Sequence, residues 1–429
     1  MRRQPIGAGT LLAIAALDQF AITLSQQGLA VLSVAFKTYS HLGVAEMGVL
    51  FSTVAVGALL GMLPAGLALD HAGPRRVAWG SGAATLFLLV LLATLLPRNF
   101  LALVALLGAV GFVLPALSLA GTTAVSARFE GSPQEGLAIA IRQSATPLGG
   151  ILAASLFPFL VGRWSLPPVL LLIGVNAGGW TMALGGVLPT APPRPRATRP
   201  GAPATVSLPA QVKSLGTLLR RLNRPLLISV LLAPGQYALL TYSLLDLHSA
   251  WHMGDTTAGL ILAVALLAGF LQRMAMGRLH DRGHDTRRLI AATAAAAVIA
   301  LAVWIWLPQR APLAVIVLVF FAMGAGLDGW NALLTTWVTR ETDVTERGLA
   351  LGLTGMAGFI GIALLLPLFG LAIRLFQSYR PAWGLLAGVY LCAVILLLRH
   401  ARRTPEATTP RGPSQARDHA APVPPHTSP

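Results

Sequence analysis

The chain alternates long apolar runs with short polar breaks, and the runs set its architecture. Stretches of about 20 apolar residues or more recur from end to end, the length a bilayer core of roughly 30 Å demands of a helix. The pattern predicts helices near 9–35, 45–69, 77–96, 100–126, 137–161, 166–188, 225–247, 256–276, 289–307, 312–338, 348–374 and 381–398. The expected fold is an all-α membrane protein of twelve transmembrane helices in two six-helix repeats. Residues 1–189 form the first bundle and 225–400 the second, joined by a linker at 190–224, with a disordered tail at 401–429. The first span carries Asp18, Gln26 and Gln27 and is too long for a cleavable signal peptide.

Two polar breaks carry nearly the same loop. The first reads GLALDHAGPRR from Gly66 to Arg76, and the second GRLHDRGHDTRR from Gly277 to Arg288. Gly66 pairs with Gly277 and Asp70 with Asp281. Gly73 answers Gly283, and Arg75-Arg76 answers Arg287-Arg288, while Arg282 occupies the place of His71. A second echo, Gly136-Leu137-Ala138 and Gly348-Leu349-Ala350, gives the same spacing, with Gly149 and Gly361 thirteen residues further on. Two concordant alignments mean one duplication, as in transporters built from parallel repeats.

These loops resemble motif A of the major facilitator superfamily, roughly G-x-L-x-D-R-x-G-R-R, and the resemblance covers about Leu11 to Leu398. It implies a substrate cavity between the halves, lined by helices 1, 4, 7 and 10. Helices 2, 5, 8 and 11 would form the closing edges, and access would alternate between the two sides. The fourth predicted helix lacks the arginine that proton-driven drug exporters of the superfamily carry there. PLGG at 147–150 is one residue short of their fifth-helix pattern, and IRQ…PLGG with GWN is closer to bacterial permeases that include anion carriers.

Composition removes the soluble alternatives. Hydrophobic residues make up 55% and charged residues 11%, against roughly a quarter charged in soluble domains. The net charge of +16 suggests nucleic acid until its placement is read. With the N-terminus inside, inner segments hold 23 of the 31 Lys and Arg and outer loops hold 6, so both termini are expected in the cytoplasm of a bacterial inner-membrane protein. The basic balance is therefore topology and lipid contact, with no nucleic-acid partner expected. Cys392 is the one cysteine, so no intramolecular disulfide can form. Lys37 and Lys213 are the only lysines and neither follows a phosphate-binding glycine loop, which argues against ATP-driven transport. No cofactor, metal or catalytic cluster is expected, and the chain is read as a monomeric non-enzyme.

Candidate chemistry lies in the charges inside apolar runs, each costing at least about 2.5–3.5 kcal/mol at a helix centre. Asp18 falls about ten residues into the first helix, roughly 15 Å deep, beside Gln19, and is the leading proton-coupling candidate. Arg142, followed by Gln143, falls about five residues into the fifth helix; a guanidinium this deep must meet a carboxylate, a carbonyl or an anionic substrate. Asp328, Trp330 and Asn331 lie together in the tenth, where Trp330 offers a stacking surface and the neighbouring glycines room for a local break. Arg273 is expected to snorkel to the headgroups, and Asp246 to sit at the outer interface. His248 and His252, like His280 and His284, lack the intervening Glu of a zinc site.

Asp70 and Asp281 would each face the positive end of a helix in the other half, near Gly348 and Gly136, for about 0.3–2 kcal/mol apiece. Within 190–224, Val212, Leu215, Leu218, Leu219 and Leu222 recur at helical spacing among basic residues. That predicts a surface helix tethering the halves. The reading is a secondary transporter of a small organic solute, with protons as the coupling partner and an organic anion as the expected cargo. An exporter of amphipathic compounds and a non-transporting receptor of the same fold are the rivals.

Overall fold

The computed structural model describes residues 7–95, 99–129, 132, 134–188, 216–342 and 347–403. Most of the linker and almost all of the tail expected from the sequence lie outside these residues. The helices are α1 (Ala8–Val31), α2 (Ser33–Tyr39), α3 (Val44–Leu95), α4 (Phe100–Phe129), α5 (Glu135–Trp164), α6 (Leu166–Val187), α7 (Asn223–Ser249) and α8 (Asp255–Asp281). They continue as α9 (Thr286–Trp306), α10 (Leu313–Asp328), α11 (Asn331–Glu341), α12 (Arg347–Phe376) and α13 (Tyr379–Arg403).

Two of the twelve expected spans are joined and one is split. α3 runs for 52 residues but is interrupted at Gly73, whose φ of 78° and ψ of 162° are not helical. Only glycine adopts such a backbone readily, and Pro74 then opens the next helix with its fixed φ. At 1.5 Å per residue, 52 residues amount to roughly 78 Å, enough for two crossings. Among the described residues eleven helical spans, with α10 and α11 taken as one, are long and apolar enough to cross a membrane; with α3 counted twice they give twelve passes. The tenth pass is the split one, for α10 stops at Asp328 and α11 restarts at Asn331.

The duplication is written into the backbone. Among the described residues six have positive φ: His41, Gly73, Ser165, His252, Gly283 and Gln377. They fall into pairs, His41 with His252, Gly73 with Gly283 and Ser165 with Gln377, at nearly the spacing of the duplicated loops. Four are not glycine, and a left-handed conformation is unfavourable for such residues. The same turns are thus used twice at a backbone cost. Close packing repeats as well: Gly111 lies against the backbone of Val54, and Gly324 against that of Ala265. Helices in lipid gain from this approach because van der Waals contact replaces the missing hydrophobic drive.

The face carrying the duplicated loops is called here the motif face, and the opposite one the distal face. Contacts between the halves run from the distal face to about mid-depth. Ser33 donates to the Thr241 carbonyl at 2.8 Å, and Gln26 to the Tyr237 hydroxyl at 3.1 Å. Gly259 packs on Ala154 and Pro158, and Gly370 on Val44 and Ala45. On the motif face Asp70 and Asp281 are exposed, with no bond to the other half among the described residues. Residues 216–221 are helical, and Leu218 and Leu222 are buried against Val338 and Ala350. The described part of the tether therefore docks on the second half.

Candidate functional site

α1, α4, α5 and α6 bring one acidic and one basic group together in an apolar bundle. Asp18 on α1 has no exposed surface, and Arg142 on α5 is 2% exposed. Their closest atoms, Asp18 Oδ2 and Arg142 Nη2, are 3.9 Å apart, an ionic contact too long for a hydrogen bond. Thr181 on α6 donates to Asp18 Oδ1 at 2.7 Å. Arg142 donates from Nη1 to Thr122 Oγ1 at 2.9 Å and from Nη2 to the Ser118 carbonyl at 3.1 Å. Among the described residues Asp18 Oδ2 and Arg142 Nε have no hydrogen-bond partner, so both partners keep unused capacity on buried atoms. Gly121 makes the room: a Cβ there would lie 2.6 Å from Arg142 Nη2 and 2.9 Å from Asp18 Oδ2.

Gln19 extends this network. It donates to Thr23 at 3.2 Å and Thr146 at 3.3 Å, and accepts from Ser118 at 3.4 Å. Gln143, next to Arg142, is exposed instead. Asp18, Gln19 and Arg142 thus form one constellation, with Arg142 no longer standing alone as an anion fork. The hydroxyls of Ser118, Thr122, Thr146 and Thr181 went unrecognised in the sequence. Their only signal was their occurrence inside apolar runs.

A second pair lies at the break in the tenth pass. Arg273 donates from Nη2 to Asp328 Oδ1 at 2.6 Å and from Nε to the Asp328 carbonyl at 3.0 Å. The expectation that Arg273 snorkels outward is therefore corrected. The interrupted helix frees a carbonyl inside the bundle, and a guanidinium can satisfy both it and the side chain. Trp330 is 3% exposed and donates back to the Leu327 carbonyl at 2.8 Å. Its ring belongs to the core, so the expected stacking surface is absent here, whereas Asn331 is exposed on α11. Tyr390 closes the break by donating to the Leu232 and Leu327 carbonyls at 2.7 and 3.2 Å.

The duplicated loops are built alike but furnished differently. Gly66 and Gly277 are half-buried, and Arg76, Arg282 and Arg288 are exposed. In the second loop Asp285 caps α9 by accepting from the backbone N–H groups of Arg287 and Arg288. The Arg287 guanidinium lies 5.7 Å from the Trp337 ring centre and 4.0 Å from Glu341, while Arg75 on the first loop is half-buried. Asp246 also departs from expectation. It is buried rather than interfacial, and its Oδ2 accepts from the indoles of Trp304 at 3.0 Å and Trp383 at 2.8 Å.

Twelve passes, duplicated loops and buried ionisable pairs between helices define a polytopic membrane transporter of the two-bundle kind. A sequence profile of the Major Facilitator Superfamily matches residues 14–364 and 226–426, and the chain belongs to that family. It is 29% identical over 414 residues to Uncharacterized MFS-type transporter Rv2994 of Mycobacterium tuberculosis, covering 93% of this chain and 87% of that one. Among solved structures, the nucleoside transporter NupG superposes with a TM-score of 0.72 at 16% identity, over 92% of this chain and 99% of that one. A D-xylose-proton symporter gives 0.70 at 13%, over 90% and 96%. These likenesses are of fold.

Proposed function

We propose that the chain is a proton-coupled secondary transporter of a small organic anion, with the Asp18–Arg142 pair as its coupling element. The observation that carries this reading is the buried carboxylate and guanidinium 3.9 Å apart, each with a polar atom that has no partner among the described residues. An ionised Asp18 is the counter-charge of Arg142. A proton on Asp18 removes that counter-charge, and the guanidinium, which stays protonated, is then balanced by an incoming carboxylate or similar planar anion. Proton and anion thus bind together, and ionised Asp18 and cargo exclude one another. The charge bias of the loops supports a cytoplasmic motif face. Asp70 and Asp281 would close that face by reaching the helix starts near Gly348 and Gly136 when the halves rock together.

The test is uptake into proteoliposomes under an imposed pH gradient, with a panel of organic anions and lipophilic cations. The wild type should concentrate an anion, and Asp18→Asn should retain exchange of that anion while losing gradient-driven accumulation. Accumulation of lipophilic cations, or a normal proton dependence in Asp18→Asn, would overturn the reading.

A further inference from the structure

Among the described residues two buried carboxylates accept no hydrogen bond from a cation, Asp18 and Asp246, the latter near the distal end of α7. Asp18 has Arg142 and Asp328 has Arg273. Among the described residues, Asp246 has no Lys, Arg or His nitrogen within salt-bridge distance. It is 3% exposed, and the groups on its Oδ2 are the neutral indoles of Trp304 and Trp383. Its direct partners are neutral donors, and beyond them Tyr379 and the exposed Arg380 of α13 act on it through charge alone; a buried carboxylate is costly to keep ionised, so it is a group that can take up a proton.

A cavity on the distal face comes within one helical turn of it. That cavity holds about 670 Å³ and is lined among others by Lys37, Glu46, Ser249, Gln309, Arg374 and Tyr379. Ser249 lies one helical turn from Asp246 and donates to the Tyr379 hydroxyl at 2.9 Å. The other charged groups around Asp246 are engaged or at the rim. On α7, His248 contacts Asp255 at 2.6 Å. On α13, exposed Arg380 points Nη2 at the Leu307 carbonyl 3.4 Å away. Arg374 at the end of α12 is exposed, and α9 and α10 present Trp304 and Phe320.

The carboxylate is also linked to the contact that closes the distal face. Tyr242, one turn along α7, donates to the Leu366 carbonyl at 2.9 Å. Its hydroxyl fills the space left by Gly48 on α3 and Gly370 on α12. The Tyr242 ring stacks on Phe369 at 4.4 Å, and Phe369 meets Trp383 edge-on at 4.9 Å. A continuous aromatic path therefore runs from Asp246 through Trp383 and Phe369 to the tyrosine between the halves.

We infer that Asp246 binds a proton reaching it from the distal cavity, and that this protonation loosens the aromatic box that seats Tyr242 and so releases the distal closure. A neutral carboxyl accepts weaker hydrogen bonds than a carboxylate, so both indole contacts slacken when the proton binds. Neither cargo nor the Asp18–Arg142 pair enters this inference.

The two indoles make the site directly readable. In sealed vesicles with the inner pH clamped, acidifying the distal side should give a step in tryptophan fluorescence. The step should vanish in Asp246→Asn, persist in Asp18→Asn, and in Trp304→Phe, which keeps the carboxylate but removes one of its donors, shrink and move to higher pH. In a Cys392→Ser background, Lys37→Cys should label several-fold faster at neutral pH when Asp246→Asn is present, a rate the parent reaches only on acidification. A step of the same size in Asp246→Asn, no step in wild type or Trp304→Phe, or equal labelling rates would each overturn the inference. Failure of anion uptake with these results intact would overturn only the proposed function.

Discussion

Removing the charge of Asp18 alone should damage the protein more than removing both charges of the pair. Asp18→Asn keeps the shape and keeps an oxygen for Thr181, so it isolates the ionic contact with Arg142. The guanidinium is 2% exposed and retains Thr122 and the Ser118 carbonyl but loses its counter-charge. Breaking a buried pair from one side costs about 3–5 kcal/mol, because the surviving charge is stranded. At roughly 2–4 °C per kcal/mol for units of this size, the unfolding midpoint in detergent should fall on the order of 10 °C. The double variant Asp18→Asn/Arg142→Gln strands nothing and should recover a large part of that loss. A coupling of at least about 2 kcal/mol in the double-mutant cycle is the expected result. If the double variant loses the sum of the two singles, or Asp18→Asn melts like wild type, the two side chains do not act as a pair.

Three further outcomes follow from other parts of the structure. Gly48→Ala places a methyl on the Tyr242 hydroxyl and 2.5 Å from the Leu366 carbonyl oxygen; it should part the distal face and raise distal labelling of Lys37→Cys, with unchanged labelling as the contrary result. Gly73→Ala meets no neighbour but must adopt φ 78° and ψ 162°, so it should cost about 1–3 kcal/mol, read as a lower melting point with no change in substrate affinity. Arg142→Lys keeps the charge but loses the paired donors, so anion affinity measured by titration should fall about tenfold or more, whereas equal affinity would remove Arg142 from cargo recognition.

The sequence conveyed the membrane passes because span length and apolar periodicity are local properties. The turn at Gly73 was marked by its own motif, and its echo at Gly283 by the duplication. Asp18 and Arg142 were visible as charges in apolar runs, since such groups are costly wherever they sit. Their meeting was not visible, because it depends on how α1 and α5 pack residues that lie 124 positions apart. Arg273 was misread for a related reason: its place near a helix end favours snorkelling until the break in the tenth pass offers an inward partner. Asp246 looked interfacial because its two indoles come from residues 58 and 137 positions away. The left-handed turns at His41 and His252 left no trace that composition could reveal, since neither residue is a glycine.

The split tenth pass divides one helix into two levers on a common joint. The distal lever, α10, is fixed at its end by Arg273, Trp330 and Tyr390, which hold the last carbonyls. The motif-face lever, α11, has only 11 residues, a little over three turns. Its free edge carries Asn331, and its buried edge presents Val338 to Leu218 and Leu222 of the tether. Any tilt of the short arm would therefore be felt by the tether helix packed against Val338, as a crank draws a connecting rod.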